Sequence, residues 1–157
     1  MFTSHRLPIS LLFSFTFGAI AAANAAEKHI SRGQLPEAVR KEAEEQAKGA
    51  TVRGYTMDTK NGHLEYEVEM ISNGHSKEVT ISPDGRLIEI EEEVDLNSLP
   101  SEVISALRNK AGRGDVSKVE SITKNGVIVA YEAQVLSAGR HSEIQVGPEG
   151  QALTHEE

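Results

Sequence analysis

Residues 61–82 read NGHLEYEVEMISNGHSKEVTIS. Asn-Gly stands at 61–62 and again at 73–74. This dipeptide is the strongest short hairpin signal, because both central residues of the favoured turn need positive φ. Between the two turns the chain alternates Leu64, Tyr66, Val68 and Met70 with Glu65, Glu67 and Glu69. That is the pattern of a strand with one dry and one wet face. Folding the chain at Asn73-Gly74 sets Ser72 across from His75, Met70 from Lys77, Val68 from Val79 and Tyr66 from Ile81. The apolar positions coincide, as a sheet with one buried face requires. The stretch therefore predicts an antiparallel hairpin, apolar on one side and acidic on the other.

Working outward, the same punctuation occurs twice. LPEAVRKEAEEQAKG starts at Leu35 and LPSEVISALRNKAGRG at Leu99. Lys60-Asn61-Gly62 matches Lys124-Asn125-Gly126, and Tyr66-Glu67 matches Tyr131-Glu132. Asn73-Gly74 matches Ala138-Gly139, and Ser82-Pro83-Asp84-Gly85 matches Gly147-Pro148-Glu149-Gly150. So many matches in one order read as two copies of one unit. Each copy opens as a helix, with Pro36 or Pro100 at its first position. Val39, Ala43 and Ala47, like Leu99, Val103 and Leu107, fall at helical spacing. Gly49 and Gly112 mark the ends. Four strands are expected after each helix: 51–58, 63–71, 76–82 and 86–94, then 116–123, 127–136, 141–146 and 151–154. The fold class so read is α+β: two tandem α-β-β-β-β units, each a helix packed on an antiparallel four-stranded meander. Their bounds are 34–94 and 98–157, and the short linker near 94–98 allows the two sheets to join edge to edge.

The first 25 residues read as a secretory signal peptide. Arg6 is followed by a mostly apolar run to Ile20, and Ala23-Asn24-Ala25 offers a small-x-small cleavage site. Residues 26–33 are expected to be a tail. The leader holds all four Phe and one Arg, which leaves 15 basic and 24 acidic residues, a net of −9. That balance speaks against nucleic acid, which is bound by replacing counterions with Lys and Arg. With the leader removed, no stable membrane anchor is expected. The chain has no Cys and no Trp. A disulfide framework, a thiol nucleophile and a Cys-anchored lipid are thereby excluded.

A search for chemistry finds little. No H-E-x-x-H, G-x-S-x-G, G-x-x-x-x-G-K-[ST] or G-x-G-x-x-G occurs. His63 and His75 fall at opposite ends of one hairpin, so no metal site is expected from them. Arg113-Gly114-Asp115 reads as turn chemistry. The acidic run Glu89, Glu91, Glu92, Glu93 and Asp95 suggests weak binding of a divalent cation or small ligand. It lacks the spaced oxygens of a calcium loop. Neither a catalytic residue nor a cofactor is expected.

Leu-Pro opening a helix, a strand, Asn-Gly, a strand with Tyr-Glu-Val or Tyr-Glu-Ala, then Pro-Asp-Gly or Pro-Glu-Gly: this order resembles the PepSY-like family. It is closest to that family's β-lactamase-inhibitor-like branch of exported bacterial proteins. The resemblance covers nearly the whole chain after the leader. It implies a periplasmic or secreted, non-enzymatic module that binds other proteins, including peptidases and other envelope enzymes, as an inhibitor or regulator. The inhibitors of that branch use disulfides and an aromatic-rich face, whereas this chain offers an acidic one. Glu65, Glu67, Glu69 and Glu78 are the expected contacts for a basic partner, through electrostatic complementarity.

Overall fold

The computed structural model describes residues 25–157. Apart from Ala25, the expected leader lies outside the described residues.

One antiparallel sheet dominates, with eight strands in chain order. They are β1 (Ala25–His29), β2 (Ala50–Lys60), β3 (His63–Ser72), β4 (His75–Ile81), β5 (Leu87–Glu93), β6 (Asp115–Lys124), β7 (Val127–Ser137) and β8 (Arg140–Val146). Helix α1 (Glu37–Gln46) follows β1, and α2 (Ser101–Ala111) links β5 to β6. Pro36 and Pro100 stand one residue before the helices, where a residue without an N–H interrupts nothing. Gly49 and Gly112 have φ of 78° and 60° as the chain leaves each helix, a region open to glycine at no steric cost.

The register of β3 on β4 is the one the sequence predicts. Ser72 pairs with His75, Met70 with Lys77, Val68 with Val79 and Tyr66 with Ile81. Ala133 pairs with Ile144 and Tyr131 with Val146. The turn residues Asn61, Asn73, Asn125 and Ala138 all have positive φ.

The fold class is corrected: the described residues form one continuous sheet with two short helices, not two tandem helix-plus-four-strand units. Three observations overturn the expectation. First, β5 pairs with β6, with Ile90 opposite Thr123 and Glu93 opposite Glu120, so the edge-to-edge joining that the short linker allows is realised and the halves are not separate units. Second, the tail 26–33 is not irregular throughout: β1 pairs with β2, setting Lys28 against Met57 and His29 against Thr56. Third, the expected last strand at 151–154 is not a strand. A strand there in the register of β5 on β4 would set His155 across from Ile144, where Ile90 faces Val79 in the first half. It would also set Glu156 across from Glu143, and like charges directly opposite cost stability.

Both helices lie on the same face of the sheet. Val39 and Ala43 of α1 pack with Tyr66, Val68, Met70, Val79 and Ile81. Val103 and Leu107 of α2 pack with Val119, Tyr131, Ala133 and Val146. Cross-strand pairing puts these two sets on one side, through Val79–Ile90, Lys77–Glu92 and Glu92–Ser121. Gly85 and Gly150 are the closest approaches of turn to helix: an added Cβ would meet Ala38 O at 2.8 Å or Glu102 O at 2.6 Å. Both glycines also have positive φ, 85° and 78°. The side chains of the alternate positions all go to the face without helices.

Candidate functional site

Strand parity fixes what that second face carries. From β3 it receives Glu65, Glu67 and Glu69, because Tyr66, Val68 and Met70 are committed to the core. From β4 come Glu78 and Thr80, and from β5 Glu89, Glu91 and Glu93. The pairs Glu93–Glu120 and Glu120–Glu132 carry the acid on into β6 and β7, and Gln134–Glu143 carries it to β8. One row crosses three strands as Glu69–Glu78–Glu91, then continues into Ile122 and Ala130.

Parts of this face are dry. Ile122 and Ala130 are 1% and 0% exposed although no helix among the described residues covers them. Glu89 and Glu120 are buried, which demands partners for their charge. Lys124 Nζ lies 3.1 Å from Glu89 Oε2 and Lys118 Nζ 2.7 Å from Glu120 Oε1. The C-terminal residues also reach this face. Glu157 N donates to Gln145 Oε1 at 2.8 Å, and the Glu157 carboxylate lies 3.3 Å from Lys124 Nζ.

Crowding shifts the carboxyls upward. Burial pushes the Glu78 carboxyl to about 8, and Glu67, Glu69 and Glu120 add to the effect. Glu91, directly across from Glu78, is driven up by burial and then by Glu78 and Glu89. Two carboxyls facing each other in such a place do not both ionise readily. Burial lifts Glu132 to about 7, with Glu143, Glu120 and Glu156 adding to it, while a 2.8 Å hydrogen bond from Gln145 Nε2 holds it down. Glu65, Glu67 and Glu143 are also raised, chiefly by burial. Burial opposes the Lys60 charge, but Glu89, Glu67, Glu91 and Glu65 outweigh it, so the Lys60 pKa rises. Glu93 goes the other way: the Ser76 backbone N–H donates to its carboxylate at 3.0 Å and holds it ionised.

The structure brings Glu65, Glu67, Glu69 and Glu78 together on adjacent strands; Glu69 is exposed and the other three are half-buried. It does not bring the run from Glu89 to Asp95 together. Glu89, Glu91 and Glu93 join the acidic face, Glu92 pairs with Lys77 on the helix side, and the Asp95 side chain accepts from Asn97 N. Among the described residues, no group of three His, Asp or Glu is placed to hold a metal ion. Asp115 of the Arg113-Gly114-Asp115 stretch is already in β6, and Gly114 backs directly onto Val135. Sequence reading missed Glu120 and Glu143 as members of the acidic face, while the match of Tyr131-Glu132 to Tyr66-Glu67 already sets Glu132 there. Strand parity would have found them, had the sheet been read as continuous.

The chain matches no protein-family model and no curated protein at a significant level. Its fold is shared by solved structures from Bacteroides. A protein described as periplasmic, from Bacteroides eggerthii, aligns with a TM-score of 0.62 at 18% identity, covering 76% of this chain and 86% of that one. A BLIP-like protein from Bacteroides fragilis aligns at 0.55 and 20% identity, covering 78% and 85%. A DUF2874 family protein from Bacteroides ovatus aligns at 0.59 and 18% identity, covering 76% and 84%. The fold is therefore BLIP-like: a single antiparallel sheet with helices on one face.

Proposed function

We propose that the protein is an exported, periplasmic or secreted binding module that docks a basic partner on the face of its sheet opposite α1 and α2. It works without chemistry of its own, as an inhibitor or regulator of a peptidase or other envelope enzyme. The observation that carries this reading is the cluster of glutamates on adjacent strands of the face opposite both helices. Glu69 is its exposed contact, with Glu65, Glu67 and Glu78 beside it. A basic partner would relieve the repulsion within the cluster, and the charge would speed encounter at low salt. The leader supports export, and the likeness in fold to a Bacteroides protein described as periplasmic agrees with it. The matched punctuation 65 residues apart, from Gly85 to Gly150, supports descent from two copies of a PepSY-like unit drawn into one sheet.

The test is capture from the envelope extract of the source organism on immobilised 26–157. Beside it stands a variant with Glu65, Glu67 and Glu69 changed to Lys, its fold checked by circular dichroism. The reading expects a basic protein held by the first and lost by the second. Equal capture by both would move the interface off this face.

A further inference from the structure

Among the described residues, β8 ends the sheet and no strand pairs with its outer edge. Its turn residues Ala138 and Gly139 have φ of 50° and 76°. In such a two-residue turn the flanking pair, here Ser137 and Arg140, exchanges hydrogen bonds, and bonding recurs at every second position. Ser142, Ile144 and Val146 thus commit their backbone groups to β7. His141, Glu143 and Gln145 aim theirs away from the sheet.

The first half of the molecule presents the same edge, but filled. The turn at Asn73-Gly74 has the same positive angles, 51° and 88°. Ser76, Glu78 and Thr80 therefore aim their backbone groups away from β3. There β5 meets them, with Glu91 across from Glu78 and Glu89 across from Thr80. The Ser76 N–H goes to the Glu93 carboxylate. Along the outer edge of β8, among the described residues, one backbone group has a partner: the Gln145 carbonyl accepts from Lys110 Nζ at 2.8 Å. After Gln151, whose carbonyl accepts from Gly147 N just beyond β8, the chain leaves this edge and reaches the acidic face instead.

We propose that the outer edge of β8 is a strand-addition site for an extended segment of a partner protein. The segment runs antiparallel, with an apolar residue across from Ile144 and a basic residue across from Glu143. Backbone hydrogen bonds would supply affinity and the alternating side chains selectivity. Ile144 is half-buried against the α2 cluster, so an apolar neighbour extends an existing dry surface. Glu143 is exposed on the acidic side, so a cation fits there. A second copy of the chain suits the edge less well. Two β8 strands in full antiparallel overlap set Glu143 against its own counterpart, a like-charge pair. The site lies beyond the face-docking reading and does not depend on it.

The test uses the 26–157 chain and a capped synthetic peptide, Leu-Ile-Lys-Ile-Lys-Glu-Lys. The peptide is the β5 sequence with lysine on its acidic side. Amide hydrogen exchange is followed residue by residue with and without it. The expected result is slowing of His141, Glu143 and Gln145 by at least about tenfold, with little change at Ser142 and Ile144. Glu143→Pro removes an outward N–H together with the carboxylate, at an edge where proline is tolerated, and is expected to weaken binding at least about tenfold while keeping the spectrum, and by more than Glu143→Gln, which removes the charge alone. Should the proline variant not fold, a peptide N-methylated at alternate residues serves instead and is expected not to bind. Three results would each overturn the proposal. One is peptide binding that perturbs β3 to β5 and leaves the β8 edge untouched, which leaves face docking standing alone. Another is no slowing at all. The third is slowing of the same amides by raised protein concentration without peptide, which gives the edge to a second copy.

Discussion

Glu78 shows how a surface-type residue acquires an unusual environment. Its strand position points it off the core, yet Glu69 and Glu91 flank it on both neighbouring strands. Its folded pKa of about 8 lies above the ordinary 4.5. The unfolded chain therefore releases this proton first as pH rises. The stability associated with the protonated form is complete below the ordinary value and lost as pH climbs through about 8. Thermal melts are expected to show stability falling from about pH 5 to about pH 9. Glu78→Gln is expected to flatten that fall by on the order of 1 kcal/mol, because the amide cannot ionise. A variant that keeps the wild-type slope would show that Glu78 ionises freely in the folded state. Gly85 makes the opposite point, since it is wholly legible: Ser-Pro-Asp-Gly predicts a glycine that must take positive φ. Gly85→Ala combines that strain with a clash at Ala38 O, and chemical denaturation is expected to record a loss of about 1–3 kcal/mol.

At the level of elements, the hairpins and helices were readable because each rests on local rules. Asn-Gly sets a turn, the period of two sets a strand face, and Val39–Ala43 or Val103–Leu107 sets a helix stripe. Leu107 is fully buried among Val119, Tyr131 and Val146. Leu107→Ala is expected to cost about 2–5 kcal/mol by denaturant unfolding. The matching change at exposed Leu64, 37% accessible, is expected to cost under about 1 kcal/mol. What failed at this scale was the strand expected at 151–154. The turn before it forms as expected, with Gly147 N donating to Gln151 O. Strand pairing also needs a compatible neighbour, and Thr154-His155-Glu156 offers a polar residue to Ile144 and an acid to Glu143. β1 was missed for the converse reason: Ala-Ala-Glu-Lys-His has no alternation, and its strand state comes from the waiting edge of β2.

For the whole molecule, the decisive event is the pairing of β5 with β6 across α2. No local signal encodes it; only the shortness of the linker hinted that two sheets could meet. That pairing changes the meaning of the acidic residues. Taken by halves, the carboxylates of the second half look sparse and the Glu89–Asp95 run looks like a separate cluster. In one sheet, Glu89, Glu91 and Glu93 bridge Glu78 on one side to Glu120 and Glu132 on the other. Much of the excess of 24 acidic over 15 basic residues after the leader thus lies on a side that no helix among the described residues covers. The most direct test of docking on that side is the association rate of the captured partner as a function of salt. It is measured for the wild type and for a variant with Glu65, Glu67, Glu69 and Glu78 changed to Gln. The wild-type rate is expected to fall at least about tenfold between low salt and about 0.5 M, and the variant to start low and respond little. Equal rates with equal salt slopes for the two proteins would contradict the account.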